Sequence, residues 1–339
     1  MSEPLVTVVG GEGAVELADR IAAAATPVDD VHLIELRRTA DPGVPVDEIA
    51  LRLETALRLR SRTGAPIEQV VVAVEAGESV LPVTAAVVLL GARRVATMDC
   101  AVISVHGPAA TVRLASGDAV VPASTAAGLA IADRVVLGGA ARLTERAFVE
   151  VATALRRANR LGPIVAPGIG GLAVGALLST GCWSGALRVG PPAPLAGDET
   201  GRARSAGASE PVHDAAMPDE AMPYEAMSFE LPAPVPSEAV RSVVERLVSR
   251  WPGVLRVQAC VRVEHGAIAC IQAMGTGSLA SGRLAISCRL MAAEDDATCA
   301  GGPAGAVTVV APAALRGSID HLLAMELLTD GAGWLDAKP

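Results

Sequence analysis

A glycine-rich turn near the N-terminus is the first place where residue types and their spacing suggest chemistry. The apolar run Leu5–Val9 has the composition of a buried strand and leads into Gly10-Gly11-Glu12-Gly13, after which Ala14–Ala25 has helical periodicity. In such a turn, glycines let backbone N–H groups approach a phosphate, and the N-terminus of the following helix adds positive potential. The pattern indicates a phosphate-binding type of turn, whose contacting residues would be Gly10, Gly11, Gly13 and Ala14.

Two side chains that nucleotide chemistry needs are missing from this turn. A P-loop places a lysine on the outer phosphates and a hydroxyl on Mg²⁺, but with Gly10 as the first glycine these positions fall on Glu16 and Leu17. A carboxylate at the lysine position would repel phosphate oxygens by about 1–4 kcal/mol. Three interpretations remain open: a tight turn without a ligand, residual binding of an anion, and a working nucleotide site.

The scarcity of lysine limits how a working nucleotide site could bind phosphate. Lys338 is the only lysine in the chain, so chemistry that needs an internal lysine is excluded. A divergent site would have to use an arginine, and Arg20 is the nearest one, about one helical turn beyond Glu16.

Acidic residues mark the ends of two further apolar runs. Gln69–Val74 is followed by Glu75 and Glu78, and the run Val95–Asp99 ends in an aspartate. Parallel sheets place ligands at the carboxyl ends of their strands, so Glu75 and Asp99 are candidate supporting residues of a nucleotide site. The alternative role for both is hydrogen bonding to loop amides.

The two halves of the chain have different organisation. Residues 1–184 alternate strand-type and helical segments, which predicts a mostly parallel α/β sheet with helices on both faces. Residues 185–225 are rich in Pro, Gly, Ala and charge, and predict a flexible linker. Residues 226–330 contain an amphipathic helix, Ser237–Arg250, and a hairpin around Glu264-His265-Gly266, and predict a smaller α+β domain.

Composition limits the class of protein. The net charge is −9 and aromatic residues make up 2%, which argues against direct nucleic-acid binding. The six cysteines include no CxxC pair, which predicts reduced thiols in the cytoplasm. No signal peptide is predicted at the N-terminus, and the longest uncharged run, Leu161–Leu187, is broken by glycines and prolines, so no membrane span is predicted.

Several segments, taken in order, resemble the CobW family of P-loop GTPases and metal chaperones. The resemblance rests on modest matches of order and spacing across residues 5–183 and 227–325. The matching segments are the Gly10–Ala14 turn, Val70–Glu75 followed by Pro82, Val95–Asp99, Ile131–Leu137, Leu155–Asn159, Leu177–Trp183, Trp251–Arg256 with the hairpin after it, and Val307–Leu323. The resemblance implies a P-loop NTPase-like domain with a CobW-type C-terminal domain.

The departures from the family pattern fall on its functional residues. The guanine-reading Asn-Lys-x-Asp loop corresponds to Gly138, Gly139, Ala140 and Ala141, so Ala141 replaces the aspartate that would pair with the guanine edge. The Cys-x-Cys-Cys metal motif is missing, because the segment Arg37–Asp47 is short and contains no cysteine. Descent from the family is thus implied, but its activity is not.

No metal centre is predicted. The five histidines show no ligand spacing. Cys260 and Cys270 would face each other across the hairpin if its loop has three residues, and they are predicted to be buried small side chains. A five-residue repeat containing Met217, Met222 and Met227 would suit Cu(I), but a low-complexity spacer is the favoured interpretation.

The sequence therefore predicts a cytoplasmic CobW-like pseudo-GTPase without catalytic residues or a cofactor. It would be a non-catalytic scaffold or adaptor, connected through its family to zinc homeostasis or translation-linked stress. A protein partner would bind the C-terminal domain, on its sheet and around Trp251. The alternatives are a divergent GTP-binding zinc metallochaperone, with GTP, Mg²⁺ and Zn²⁺ as cofactors, and a metal-buffering protein.

Overall fold

The chain folds into two sheets that pack against each other through helices of the first half. The computed structural model describes residues 3–25, 31–36, 44–61, 67–167, 176–178, 180, 182–183, 224–231, 235–263, 267–275, 285–291 and 305–327. Most of the predicted linker, Arg37–Gly43 and the hairpin tip lie outside the described residues.

The first half forms a six-stranded parallel sheet in the order β2-β3-β1-β4-β5-β6. Its strands are β1 (Leu5–Gly11), β2 (Val31–Leu36), β3 (Gln69–Val74), β4 (Thr97–His106), β5 (Arg134–Gly138) and β6 (Ile164–Val165). Its helices are α1 (Ala14–Ala25), α2 (Val46–Ser61), α3 (Leu81–Ala92), α4 (Gly107–Ala115), α5 (Ala123–Ile131) and α6 (Glu145–Ala158). The predicted parallel α/β domain is confirmed, with α4 as a helix that the sequence pattern did not indicate.

The second half forms a five-stranded antiparallel sheet in the order β10-β9-β8-β11-β7. Its elements are β7 (Tyr224–Glu230), α7 (Ser237–Arg250), β8 (Arg256–Arg262), β9 (Ile268–Met274), β10 (Ala285–Met291), β11 (Gly305–Pro312), a short 3₁₀ turn (Ala313–Leu315) and α8 (Arg316–Leu327). The predicted hairpin is confirmed as β8 paired with β9. Side chains of alternate residues pack with α7 and α8 into a core of their own.

Helix α3 joins the two sheets because it has no polar face. Nine of its 12 residues are buried, so it needs apolar neighbours on every side. It contacts α2, β1 and β4 in its own domain, and β9 and β10 of the antiparallel sheet. The contact is close, since a methyl group on Gly91 would lie 3.3 Å from the Ser287 hydroxyl.

A buried arginine crosses the same junction. Arg256 on β8 has no exposed surface, and its Nη1 donates hydrogen bonds to Asp133 Oδ1 at 2.8 Å and to the Ile131 carbonyl at 2.8 Å. Its Nη2 donates to Gln258 Oε1 at 2.7 Å. A charged guanidinium is tolerated here because a carboxylate and two neutral acceptors surround it.

Asp133 binds donors from three parts of the chain. Its Oδ2 accepts hydrogen bonds from the Ala101 amide at 2.8 Å and from Trp183 Nε1 at 2.6 Å. The Trp183 ring also stacks on the Arg256 guanidinium, 3.8 Å from the ring centroid. The segment around Trp183, the parallel sheet and the antiparallel sheet therefore meet at one ion pair.

We expect Asp133→Asn to lower the free energy of unfolding by roughly 3–5 kcal/mol, because it leaves the buried Arg256 guanidinium without a counter-charge. Adding Arg256→Met should recover part of that loss. Urea unfolding followed by Trp fluorescence measures both effects. The control is Glu48→Gln, which breaks an exposed pair with Arg52 on α2 and should leave the midpoint unchanged. A loss below about 1 kcal/mol for Asp133→Asn would show that the pair is not structural.

Candidate functional site

The glycine-rich turn is shorter than a phosphate-binding loop. Strand β1 extends through Gly11, only Glu12 and Gly13 form the turn, and α1 already begins at Ala14. Glu16 therefore lies in the first turn of α1, and Leu17 is 5% exposed and packs in the core beneath that helix. The two positions that would hold a lysine and a Mg²⁺ hydroxyl belong to a regular helix here.

The side chain of Val80, the residue just before α3, fills the space beside Gly10. A methyl group on Gly10 would lie 2.0 Å from Val80 Cγ1, and one on Gly128 of α5 would lie 2.7 Å from Val80 Cγ2. Val80 is 3% exposed. The two glycines thus make room for a valine of the same chain.

The polar groups of the turn are bound to the neighbouring strand. The Glu12 amide donates to the Ser104 carbonyl at 3.0 Å. A methyl group on Gly11, whose φ is +90°, would lie 2.3 Å from that same carbonyl oxygen. The Glu12 carboxylate accepts a hydrogen bond from the His106 amide at 3.1 Å and pairs with the Arg113 guanidinium of α4. The Glu12 carboxylate therefore binds a guanidinium and a backbone amide of the same chain beside the turn.

The segment matched to the guanine-reading loop packs against the start of α4. Gly138 ends β5, Gly139 has a φ of +68°, and Ala140–Arg142 form one 3₁₀ turn. A methyl group on Gly139 would lie 3.1 Å from Pro108 Cδ. Ala141 is exposed and carries no hydrogen-bonding side chain. The strand ends of β1, β4 and β5 are thus brought together, with small residues between them.

Glu75 and Asp99 lie at different edges of the sheet. Glu75 follows β3 at the carboxyl edge and is exposed. Asp99 lies near the beginning of β4 rather than at its end, and is 1% exposed. It accepts hydrogen bonds from the hydroxyls of Thr7 at 3.3 Å and Thr180 at 3.2 Å. Asp99 therefore fixes chain segments at the amino half of the sheet.

The cation at the turn was not predicted from the sequence. Arg20 is the nearest arginine along the chain, but Arg113, 101 residues from Glu12, is the one that pairs with the turn. The sequence signal for helix α4 was weak, because residues such as Gly107 and Pro108 usually interrupt helical periodicity. Here Pro108 occupies the first turn of a helix, where its missing N–H costs no hydrogen bond.

Two pairs of thiols lie near the domain junction. Cys260 and Cys270 are opposed in the β8–β9 ladder, with their Sγ atoms 3.6 Å apart, and each is 5% exposed. Their predicted burial is confirmed. A hydrogen bond between Cys100 and Cys182 raises the pKa of Cys100, an effect that burial adds to, and lowers the pKa of Cys182.

The C-terminal surfaces predicted to bind a partner are partly covered. One face of the antiparallel sheet packs on α7 and α8, and the other contacts α3 and α5. Trp251, at the end of α7, is half-buried and has the Arg250 guanidinium 5.3 Å from its ring centroid. Met227 of the five-residue repeat is 1% exposed in β7, and Met217 and Met222 lie outside the described residues.

The part of the chain that the structure describes has neither a metal-ligand cluster nor a helix suited to a membrane. Within it, no group of three or more His, Cys, Asp or Glu side chains could hold a metal ion. None of the helices described is both long and apolar enough to cross a bilayer.

Comparison with known proteins identifies structural neighbours only. No family model matches the chain, and no curated protein matches it. The Zn(II)-bound YjiA GTPase from E. coli has a TM-score of 0.60 and 14% identity, over 96% of this chain and 99% of that chain. A Zn(II)-bound triple mutant of YjiA GTPase has a TM-score of 0.60 and 13% identity, over 96% of this chain and 100% of that one. At these identities the likeness shows the fold, and the P-loop GTPase-like sheet with a C-terminal domain is confirmed.

We expect Gly10→Ala to lower the free energy of unfolding by about 1–3 kcal/mol, because its methyl group would overlap Val80. Most of this loss should disappear when Gly10→Ala is made in a Val80→Ala background. Thermal unfolding of the four proteins in this cycle measures the coupling. Gly317→Ala on α8, where a methyl group meets nothing within 4 Å, is the control and should not destabilise. Equal losses in both backgrounds would contradict close packing at this turn.

The lowered pKa of Cys182 predicts a pH dependence of alkylation. The thiolate is the reactive form, so the labelling rate of Cys182 by iodoacetamide should reach half its maximum below the pH that is usual for a thiol. Cys100→Ala removes the hydrogen bond and should move this midpoint to higher pH. Peptide mass spectrometry measures each site. Cys288, whose pKa is raised by burial, serves as the internal reference. An unchanged midpoint in Cys100→Ala would rule out the hydrogen bond as the cause.

Proposed function

We propose that the protein is a CobW-like pseudo-GTPase that serves as a non-catalytic scaffold or adaptor in the cytoplasm. Zinc homeostasis and translation-linked stress are the processes that the family resemblance suggests. The observation that supports the proposal most is the closed β1–α1 turn, where Glu12 binds Ser104, His106 and Arg113 of the same chain.

Nucleotide binding at this turn would require several contacts to break. A phosphate would have to replace the Glu12 carboxylate on Arg113, and like charges at short range repel by about 1–4 kcal/mol. It would also need room now filled by Val80 and by the Ser104 carbonyl. Residual contacts from Gly10, Gly11, Gly13 and Ala14 would therefore be weak. At the base position, Gly138, Gly139 and Ala141 offer no side-chain acceptor for guanine.

The proposed partner surface is the outer part of the C-terminal domain. Trp251 lies half-buried at the end of α7 beside Arg250, and aromatic and arginine side chains are the usual anchors of protein interfaces. Because both faces of the antiparallel sheet are occupied by helices, the helices α7 and α8 and the residues around Trp251 are favoured over the sheet itself. Nucleic acid and membranes are not proposed as partners.

One observation favours the alternative of a divergent GTP-binding zinc metallochaperone. Arg113 supplies a guanidinium at the turn where relatives have a lysine, and the structural neighbours are zinc-bound GTPases. In this alternative, Glu12 would swing away from Arg113 when GTP and Mg²⁺ bind. A metal-buffering role rests on the sequence alone. Its test is whether Zn²⁺ or Cu(I) stays bound to the protein through gel filtration.

A calorimetric titration with GTP and Mg²⁺, with ATP as the control nucleotide, tests the proposal. We expect no heat of binding up to about 1 mM nucleotide, which corresponds to an affinity weaker than roughly −4 kcal/mol. One-to-one binding in the micromolar range would contradict the pseudo-GTPase. If such binding is seen, its loss in Gly13→Asp and in Arg113→Gln would locate it at the turn and support the metallochaperone.

The partner surface is tested by affinity capture with the full-length chain. We expect Trp251→Ala to lose the captured protein, whereas Leu51→Ala, which removes an exposed leucine from α2, should keep it. Equal capture by both variants would move the interface away from the C-terminal domain. Quantitative mass spectrometry of the bound fraction gives the ratio.

A further inference from the structure

A cleft at the junction of the two domains is lined by arginines that the proposed function does not use. It has a volume of about 230 Å³ and is lined by Arg157, Arg160, Tyr224, Glu225 and four alanines. Arg157 lies in the last turn of α6, which runs back from β5 to the amino end of β6. The cleft therefore lies at the amino edge of the parallel sheet, opposite the β1–α1 turn.

The charges around this cleft do not balance among the described residues. Glu225 Oε1 is shared by two arginines, Arg160 Nη1 at 3.5 Å and Arg316 Nη2 at 2.8 Å. No carboxylate of the described chain is within ion-pair distance of Arg157. Arg160, in the loop after α6, and Arg316, at the start of α8, thus share one carboxylate, while Arg157 of α6 lines the same cleft without an ion pair among the described residues.

The shape and polarity of the cleft indicate the size of a ligand. Four of the eight residues that line the cleft are alanines, whose short side chains leave its volume open. About 230 Å³ is below the range of roughly 300–1,000 Å³ that is usual for drug-sized ligands. A nucleoside triphosphate is too large to be enclosed, whereas a small phosphorylated molecule fits.

We infer that this cleft binds a small phosphomonoester or inorganic phosphate, held by Arg157 and Arg160 with the Tyr224 hydroxyl as an additional donor. Guanidinium groups bind phosphate oxygens in pairs and form strong charge-assisted hydrogen bonds. Arginine has to take this role, because the chain has no lysine before Lys338. Glu225 competes with the anion for Arg160 and sets an upper limit on affinity.

Binding at this position would connect the two domains. Arg157 and Arg160 belong to the parallel domain, while Tyr224, Glu225 and Arg316 belong to the antiparallel one. An anion between them would add to the Arg256–Asp133 contact, and a ligand that binds only the folded state raises stability by mass action. The cleft would thereby make domain association sensitive to a phosphorylated metabolite.

The test is calorimetric titration of the full-length protein with inorganic phosphate and with glycerol 3-phosphate, at constant ionic strength set with chloride. We expect saturable one-to-one binding with a Kd below 1 mM. The double variant Arg157→Gln/Arg160→Gln should weaken it at least tenfold. Glu225→Gln should strengthen it several-fold, because it frees Arg160 and Arg316 from their carboxylate.

Two control variants separate a built site from general attraction. Arg146→Gln removes one positive charge from the first turns of the same helix and should leave the Kd within twofold. Gly13→Asp alters the β1–α1 turn and should also leave it unchanged, which distinguishes this cleft from any nucleotide site. Absence of saturable binding, an equal loss in Arg146→Gln, or weaker binding in Glu225→Gln would overturn the inference. Thermal unfolding of each variant without phosphate shows whether it is folded.

Discussion

Arg256 and its counter-ion Asp133 meet in a place that neither domain could form alone. A guanidinium without solvent exposure is costly, and its burial is tolerated only when acceptors and a counter-charge surround it. The counter-charge and one acceptor come from the other domain, since Asp133 and the Ile131 carbonyl lie just before β5, while the remaining acceptor, Gln258, lies on β8 itself. Trp183 adds a ring on which the guanidinium stacks and an N–H for the second carboxylate oxygen. The pair therefore favours one arrangement of the two sheets, because any displacement would separate a buried charge from its partners.

The same junction explains why α3 is apolar on every side. A surface helix of an α/β domain normally keeps one polar stripe for water. The sequence Leu81–Ala92 has none, because the antiparallel sheet covers the side that water would otherwise contact. Small residues such as Gly91 let strand β10 approach the helix closely. A chain with few aromatic residues thus obtains a continuous core from alanine, valine and leucine at close spacing.

Local sequence patterns predicted the order of helices and strands well. They failed where a contact between residues far apart in the sequence determines the structure. Apolar runs alternating with helical periodicity were sufficient for the parallel sheet and for the β8–β9 hairpin. The sequence left open whether Val95–Val105 forms one strand or two, because Asp99 interrupts an apolar run. The structure has one strand, β4, in which the hydroxyls of Thr7 and Thr180 donate to that buried carboxylate. Likewise, Arg256 occupies an ordinary strand position. The sheet face that carries Arg256 is buried only because the other domain packs against it. Sequence periodicity does not encode that contact.

The candidate site shows the same division between local and distant causes. The missing lysine and hydroxyl were visible from the spacing of Gly10, Glu16 and Leu17, because a motif is a local property. What occupies the turn instead was not visible, since Ser104, His106 and Arg113 approach it from about a hundred residues away. Glycines in a nucleotide loop leave backbone amides open to phosphate, whereas Gly10 and Gly128 here leave space that Val80 fills. Glycine at such a turn therefore permits close approach of any group, and the neighbouring side chains decide whether that group is a phosphate or part of the protein itself.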